Sequence, residues 1–240
     1  MTNIKLNVSR LILSCTSRCM FIFILLFGFL LFSCTTSNDQ SDANSSKAIT
    51  LPFFNTPDWT PEWIEKMDSQ YQQIHQIPAF KFKDQEGNVI SNKTVNGKIY
   101  IANFFFTSCR GICPKMTSNM YLLQEAFKLD TTILFLSHSV TPDIDSVAVL
   151  KKYAIENKVN SKQWHLLTGP KMDIYDLAKQ QYFAGDTIGY YQTGNEFLHT
   201  ENFILVDQKQ RIRGVYNGTL LVEIERIKED IAILKKRRLE

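Results

Sequence analysis

Ile99-Tyr100-Ile101-Ala102-Asn103-Phe104-Phe105-Phe106, followed directly by Thr107-Ser108-Cys109-Arg110-Gly111-Ile112-Cys113-Pro114-Lys115-Met116, is the stretch that decides the fold. Its apolar first half has the pattern of a strand buried on both faces. Pro114 suits the first turn of a helix, where its missing N–H costs nothing. Cys113 then starts a helix and Cys109 lies in the turn before it. Unpaired N–H groups and the positive pole of a helix favour thiolate, so this position predicts lowered thiol pKa values. A dithiol at a strand-to-helix turn does redox chemistry or binds a metal.

The compartment follows from the N-terminus. Lys5, Arg10 and Arg18 are the only charges before Asp39, and they precede the apolar run Met20 to Phe32. Basic region, short apolar core and small residues at the end describe a secretory signal over residues 1–33. The run is too short for a comfortable membrane span. Leu31-Phe32-Ser33-Cys34 resembles a bacterial lipobox, which implies lipidation of Cys34; the other reading is an uncleaved signal anchor. Either way the domain is tethered outside the cytoplasm, and residues 34–50, rich in Ser, Thr, Asn and Asp, form a flexible tether.

Removing the signal also removes the basic excess. The 27 Lys and Arg less those three leave 24, against 24 Asp and Glu. A neutral mature chain lacks the basic footprint of a nucleic-acid binder. Cys15 and Cys19 leave with the signal and Cys34 is consumed by lipid, so Cys109 and Cys113 remain as the thiols. A structural staple explains this pair poorly, because so short a loop constrains the unfolded chain little.

Residues 51–240 read as one domain. Leu51 to Trp59 is aromatic and Pro-rich and should pack in extended form, with a short helix beginning at Thr60-Pro61-Glu62-Trp63. Ile77 to Ile90 has the pattern of a hairpin around Asp84 to Asn88. Met116, Met120, Leu123 and Phe127 form a core-facing helix stripe. Thr132 to Ser137 reads as a second central strand, Val147 to Ala154 as a helix, Trp164 to Thr168 as a short strand, and Met172 to Gln180 as a helix. Phe183 to Phe197 is an excursion before a closing hairpin, Asn202–Asp207 with Ile212–Tyr216, and a last helix whose Ile224, Ile227, Ile231 and Leu234 face inward. Strands alternating with helices indicate an α/β domain. With a dithiol turn after an early central strand, this is a thioredoxin-like three-layer α/β/α sandwich around a mixed sheet.

Three chemistries remain open for the dithiol. Thioredoxin-type exchange uses Cys-x-x-Cys opposite a cis-proline, whereas the spacing here is one residue longer and no Pro lies in the strand leading to Asn202. A peroxidase needs one activated thiolate. Two soft thiolates favour Cu(I), with Zn(II) as competitor, and want a histidine to complete the site. His75 precedes the fold proper and reads as a surface residue. His138 ends the second central strand near the cysteine loop, and His165 sits in the short strand as a packed or surface residue. His199 lies on a loop just before the closing hairpin.

The strand-Cys-x-x-x-Cys-Pro turn, the histidine before the closing hairpin, the Ser139 to Tyr153 segment and Trp164-His165-Leu166-Leu167-Thr168-Gly169 together resemble the Sco (SenC) family, over about Ile77 to Lys236. The resemblance implies copper, as Cu(I) or Cu(II), bound by Cys109, Cys113 and His199, with the two cysteines also able to pair as a disulfide. It implies a metallochaperone or thiol reductant rather than an enzyme. The partners implied are cytochrome c oxidase subunit II, whose dinuclear copper centre the family helps to assemble, and other copper chaperones. The place implied is the cell envelope, lipid-anchored at the inner membrane and facing the periplasm. An envelope thiol-disulfide oxidoreductase acting without metal is the alternative. This chain has Ser139-Val140-Thr141-Pro142 where the family usually has Ser-Val-Asp-Pro, and lacks the common Val-Asp before His199.

Overall fold

The computed structural model describes residues 50–185 and 200–236. The signal segment, Cys15, Cys19, Cys34, the tether up to residue 49, His199 and Arg237-Arg238 lie outside the described residues.

The aromatic arm is extended, as its composition predicts. Phe53–Phe54 (β1) pairs antiparallel with Pro61–Glu62 (β2). The helix expected at Thr60-Pro61-Glu62-Trp63 is therefore absent. Asp58 captures the hydroxyls of Thr56 at 2.5 Å and Thr60 at 2.9 Å, and Trp59 takes a left-handed backbone with φ 57°, which turns the chain back on itself. Side-chain bonds of this kind compete with a helical start. The helical turn comes later, over Ser69–Gln73, where the Asp68 carboxylate accepts the Gln70 N–H at 2.9 Å. Arg213 holds the arm down. Its guanidinium donates to the carbonyls of Pro52 and Leu51 and to the Asp207 carboxylate, and lies 3.9 Å from the centre of the Phe53 ring.

Lys81–Lys83 (β3) and Val89–Ser91 (β4) form the expected hairpin, and Asn92–Val95 (α1) follows under a Ser91–Thr94 capping box. The main elements are Ile99–Phe105 (β5), Cys113–Ala126 (α2), Ile133–Ser139 (β6), Val147–Glu156 (α3), Trp164–Leu167 (β7) and Lys171–Asp176 (α4), which runs into a π-turn over Leu177–Gln181. Asn202–Val206 (β8), Ile212–Asn217 (β9) and Leu221–Lys236 (α5) close the domain. Sheet order is β7-β6-β5-β8-β9. β5, β6 and β7 run parallel, whereas β8 is antiparallel to β5 and β9 to β8.

A central sheet must cover both faces, and alternation along β5 and β6 divides the core accordingly. Ile99, Ile101, Ile133 and Phe135 meet Met116, Met120 and Leu123 of α2, Leu150 of α3 and Ile227 and Ile231 of α5. Tyr100, Ala102, Leu134 and Leu136 face the β3–β4 hairpin and Ile174, Leu177 and Tyr182 around α4. The third layer is thus one helix plus a hairpin. The hairpin also protects the edge of β7, since buried Gln85 donates to the Trp164 carbonyl and accepts the Leu166 N–H, blunting an unpaired strand edge.

β9 carries one tight constraint. A methyl group on Gly214 would fall 2.1 Å from the Tyr216 hydroxyl, which is itself held by Asp230 at 2.6 Å. Gly214→Ala is expected to cost about 2 kcal/mol, the usual penalty of overpacking. A thermal melt should show Tm lower by several degrees, and an unchanged Tm would mean that Tyr216 has room to move.

Candidate functional site

Parallel strands send their loops to one end of the sheet, and here the loops after β5 and β6 meet. The β5 loop carries the cysteines. Cys109 N–H donates to the Phe106 carbonyl at 3.3 Å, closing a turn, and the Met116 N–H reaches the Ile112 carbonyl at 3.0 Å as α2 begins. Pro114 lies in the first turn of α2, as expected. No side chain caps this helix at Ile112. Backbone N–H groups at a helix start need an acceptor, and the Cys109 sulfur lies nearby, 3.9 Å from where a methyl group on Gly111 would sit.

Both cysteines are free thiols, Cys113 buried and Cys109 half-buried. Their acidities split. Partial burial pushes the Cys109 thiol up, but hydrogen bonds from the Cys113 backbone N–H and thiol and from the Gly111 and Ile112 N–H groups outweigh it and hold Cys109 below the ordinary thiol range. Burial pushes Cys113 up to about 12; the Phe106 backbone opposes this, while Cys109 adds to the rise. The expectation that the helix start lowers both thiols is therefore corrected. Cys113 opens the helix but points into the core, where loss of water outweighs the helix pole. The two thiols act on each other's acidity in opposite senses, with Cys109 the thiolate-prone partner and Cys113 the one that keeps its proton. Such a pair can chelate a soft cation or close a disulfide.

The histidines separate clearly. His75 is no surface residue: its Nε2 donates to the Gln181 carbonyl at 2.8 Å and its ring lies 4.7 Å from that of Phe183. His138 lies near the end of β6 beside the end of β5, as expected, but its ring faces away from the cysteine helix, among Phe80, Phe82, Phe104 and Tyr182. His165 is packed, with Nδ1 3.1 Å from the Asp84 carboxylate. None of these three joins the thiols. Among the described residues no group of three or more His, Cys, Asp or Glu could hold a metal. The third donor expected from sequence, His199, lies outside the described residues. Its strand is described: Ala102 of β5 stands opposite Ile204 of β8, so β8 begins at the end of β5 from which the cysteine loop emerges.

Asp145, in the turn between β6 and α3, carries no functional signal in the sequence beyond preceding a helix. It is fully buried and accepts hydrogen bonds from Thr107 of the cysteine loop and from Ser139 and Thr141. Tyr153 of α3 donates to or accepts from Thr117 of α2 at 2.8 Å. An acid three residues past Pro142 was visible in the chain, but nothing local marks it as buried.

The SCO1/SenC family model matches residues 67–235. The chain is 30% identical over 146 residues to the SCO1 protein homolog of Bacillus subtilis (strain 168), covering 60% of this chain and 75% of that protein. The crystal structure of a SCO1/SenC family lipoprotein from Bacillus anthracis str. Ames is similar at 31% identity and a TM-score of 0.59, covering 67% of this chain and 95% of that one. BsSco, described as having a disulfide switch and belonging to the Sco family of cytochrome c oxidase assembly proteins, is similar at 27% identity and a TM-score of 0.56, covering 67% and 94%. Copper-bound yeast Sco1 shares the fold, at 23% identity and a TM-score of 0.51, over 66% and 89%. The fold is thioredoxin-like, with a mixed central sheet. No helix among the described residues is long and apolar enough to cross a membrane. With the match running from Met67 through the dithiol turn to Lys235, the chain belongs to the SCO1/SenC family.

Proposed function

We propose that this protein is a membrane-tethered copper chaperone and thiol reductant that takes copper as cargo through Cys109, Cys113 and His199. It serves assembly of the dinuclear copper centre of cytochrome c oxidase subunit II. The observation that carries the reading is the free Cys109–Cys113 pair at the uncapped start of α2, one thiol partly open and the other enclosed. Two sulfurs are soft donors suited to Cu(I). Copper in a Sco structure and the assembly role of BsSco support the choice of cargo and pathway. His199 is three residues upstream of β8, within covalent reach of the end of the sheet where the dithiol lies. The lipoprotein among the relatives supports anchoring at Cys34 in the envelope, facing the periplasm.

The chain's own residues define what happens to protons and electrons. Cys109 is ready as a donor, and Cys113 must release its proton before it can bind metal. If the pair instead reduces a partner's disulfide, both sulfurs lose one electron each and close a Cys109–Cys113 bond, while the partner's two sulfurs gain the two electrons and are protonated. The split acidity suits this second use too: Cys109 attacks and Cys113 resolves.

The test is a copper titration of the reduced, purified full-length protein in detergent, read by elemental analysis and optical spectra. About one copper per chain is expected, with weaker retention of Zn(II). Turnover of a disulfide substrate, with copper held no better than by an unrelated dithiol, would favour the metal-free oxidoreductase and defeat the chaperone reading.

A further inference from the structure

We propose that Asp145 is the positioning residue of the dithiol: its buried carboxylate anchors the cysteine loop through Thr107, two residues before Cys109. This rests on reading Cys109–Cys113 as the functional site. Asp145 accepts four hydrogen bonds, all from neutral donors. Thr107 gives its N–H at 3.2 Å and its hydroxyl at 2.5 Å, Ser139 its hydroxyl at 2.5 Å, and Thr141 its hydroxyl at 2.9 Å. Ser139 in turn accepts the Thr141 N–H at 3.1 Å, and the Asp145 N–H donates to the Thr141 carbonyl at 2.8 Å. The carboxylate thereby joins the end of β6, the turn before α3 and the first residue of the cysteine loop past Phe106.

The placement matters more than the number of bonds. Thr107 is two residues before Cys109, and the Cys109 N–H is held by the Phe106 carbonyl at 3.3 Å. The loop is therefore tied at Thr107 to Asp145 and closed by the Phe106–Cys109 turn bond just before the first sulfur. A charge taken out of water needs every lone pair satisfied, so Asp145 cannot move without breaking several charge-assisted bonds at once. Thr141 adds no second charge beside Asp145, and its hydroxyl is one of the donors to it.

Backbone amide hydrogen exchange of the reduced protein, kept free of metal with a chelator, would be followed by mass spectrometry on peptides covering residues 106–113. Asp145→Ala is expected to speed exchange in this segment about tenfold relative to the rest of the domain, the effect of losing hydrogen bonds that oppose local opening. Thr107→Val, which keeps the backbone N–H bond but removes the hydroxyl donor, should speed it by less. Gly214→Ala, which destabilises the fold at a distance, should leave this segment's exchange relative to the rest of the domain unchanged. If Asp145→Ala does not fold, Thr107→Val decides alone. Wild-type exchange in both loop variants, or an equal local effect in Gly214→Ala, overturns the proposal. A copper titration of the wild type run in parallel separates the two claims: absence of copper binding defeats the chaperone reading and leaves the anchoring intact, whereas wild-type exchange in Asp145→Ala of a copper-binding protein defeats only the anchoring.

Discussion

Cys113→Ser is expected to abolish stoichiometric copper binding while leaving the fold intact. Cys113 is 4% exposed and packs against the core that includes Met116 and Phe105. Serine nearly matches its volume, so thermal stability should change little. The chemistry changes far more. A serine hydroxyl is hard and stays protonated at neutral pH, so the site falls from two soft donors to one. Altering only the partners of a ligand typically costs about 10- to 100-fold in metal affinity, and loss of a ligand should exceed that. Cys109→Ser should do the same, because its hydroxyl can still accept from the neighbouring N–H groups but is no soft donor for Cu(I). His199→Ala should weaken copper retention and alter its spectrum while leaving the dithiol–disulfide equilibrium near that of the wild type, because that histidine contributes no sulfur. Full copper retention in Cys113→Ser would defeat the metal reading. Unchanged affinity and spectra in His199→Ala would defeat the ligand assignment alone.

His138 should make the domain acid-sensitive. Its imidazole is fully buried, and neither ring nitrogen has a hydrogen-bond partner. Phe104, Phe82 and Tyr182 surround it with ring centres at 5.2 to 5.7 Å, and the hydroxyl of Tyr182 is engaged with Tyr100 at 3.1 Å. Burial pushes its pKa down to about 3. The native ring therefore stays neutral, whereas the unfolded ring gains a proton below about pH 6.5. Stability is then complete above that pH and is lost as pH falls from about 6.5 toward 3, since the unfolded state binds the extra proton. By pH 4 the loss should reach about 3 kcal/mol from this residue. His138→Leu fills the aromatic box without orphaned polar atoms, so it should be at least as stable at pH 7.5 and increasingly more stable toward acid. Urea unfolding of both proteins from pH 7.5 to 4.5 reads the difference. A gap that does not widen would show that the ring is hydrated or paired.

Much of the architecture was legible because it is local. The β5–turn–α2 unit, the Met116–Met120–Leu123 stripe, the closing hairpin and the inward Ile224, Ile227, Ile231 and Leu234 all follow from periodicity within one element. The arm was legible only in its extension. Its helix failed because Asp58 satisfies Thr56 and Thr60 locally, and its docking depends on Arg213, 161 positions from Pro52. Side-chain bonds at that separation leave no periodic trace.

By itself the sequence determined that a dithiol sits where a central strand passes into a helix, because an apolar run, two cysteines and a proline are covalent neighbours. Only the tertiary structure decided that the thiols are unequal. The helix start is common to both, but Cys113 turns into the core and loses its water, while Cys109 stays half-open under three N–H groups. Tertiary structure likewise decided that Asp145 reaches the loop and that His138 faces the opposite core. Burial and pairing are set by what folds over a residue, and that information is spread across the whole chain.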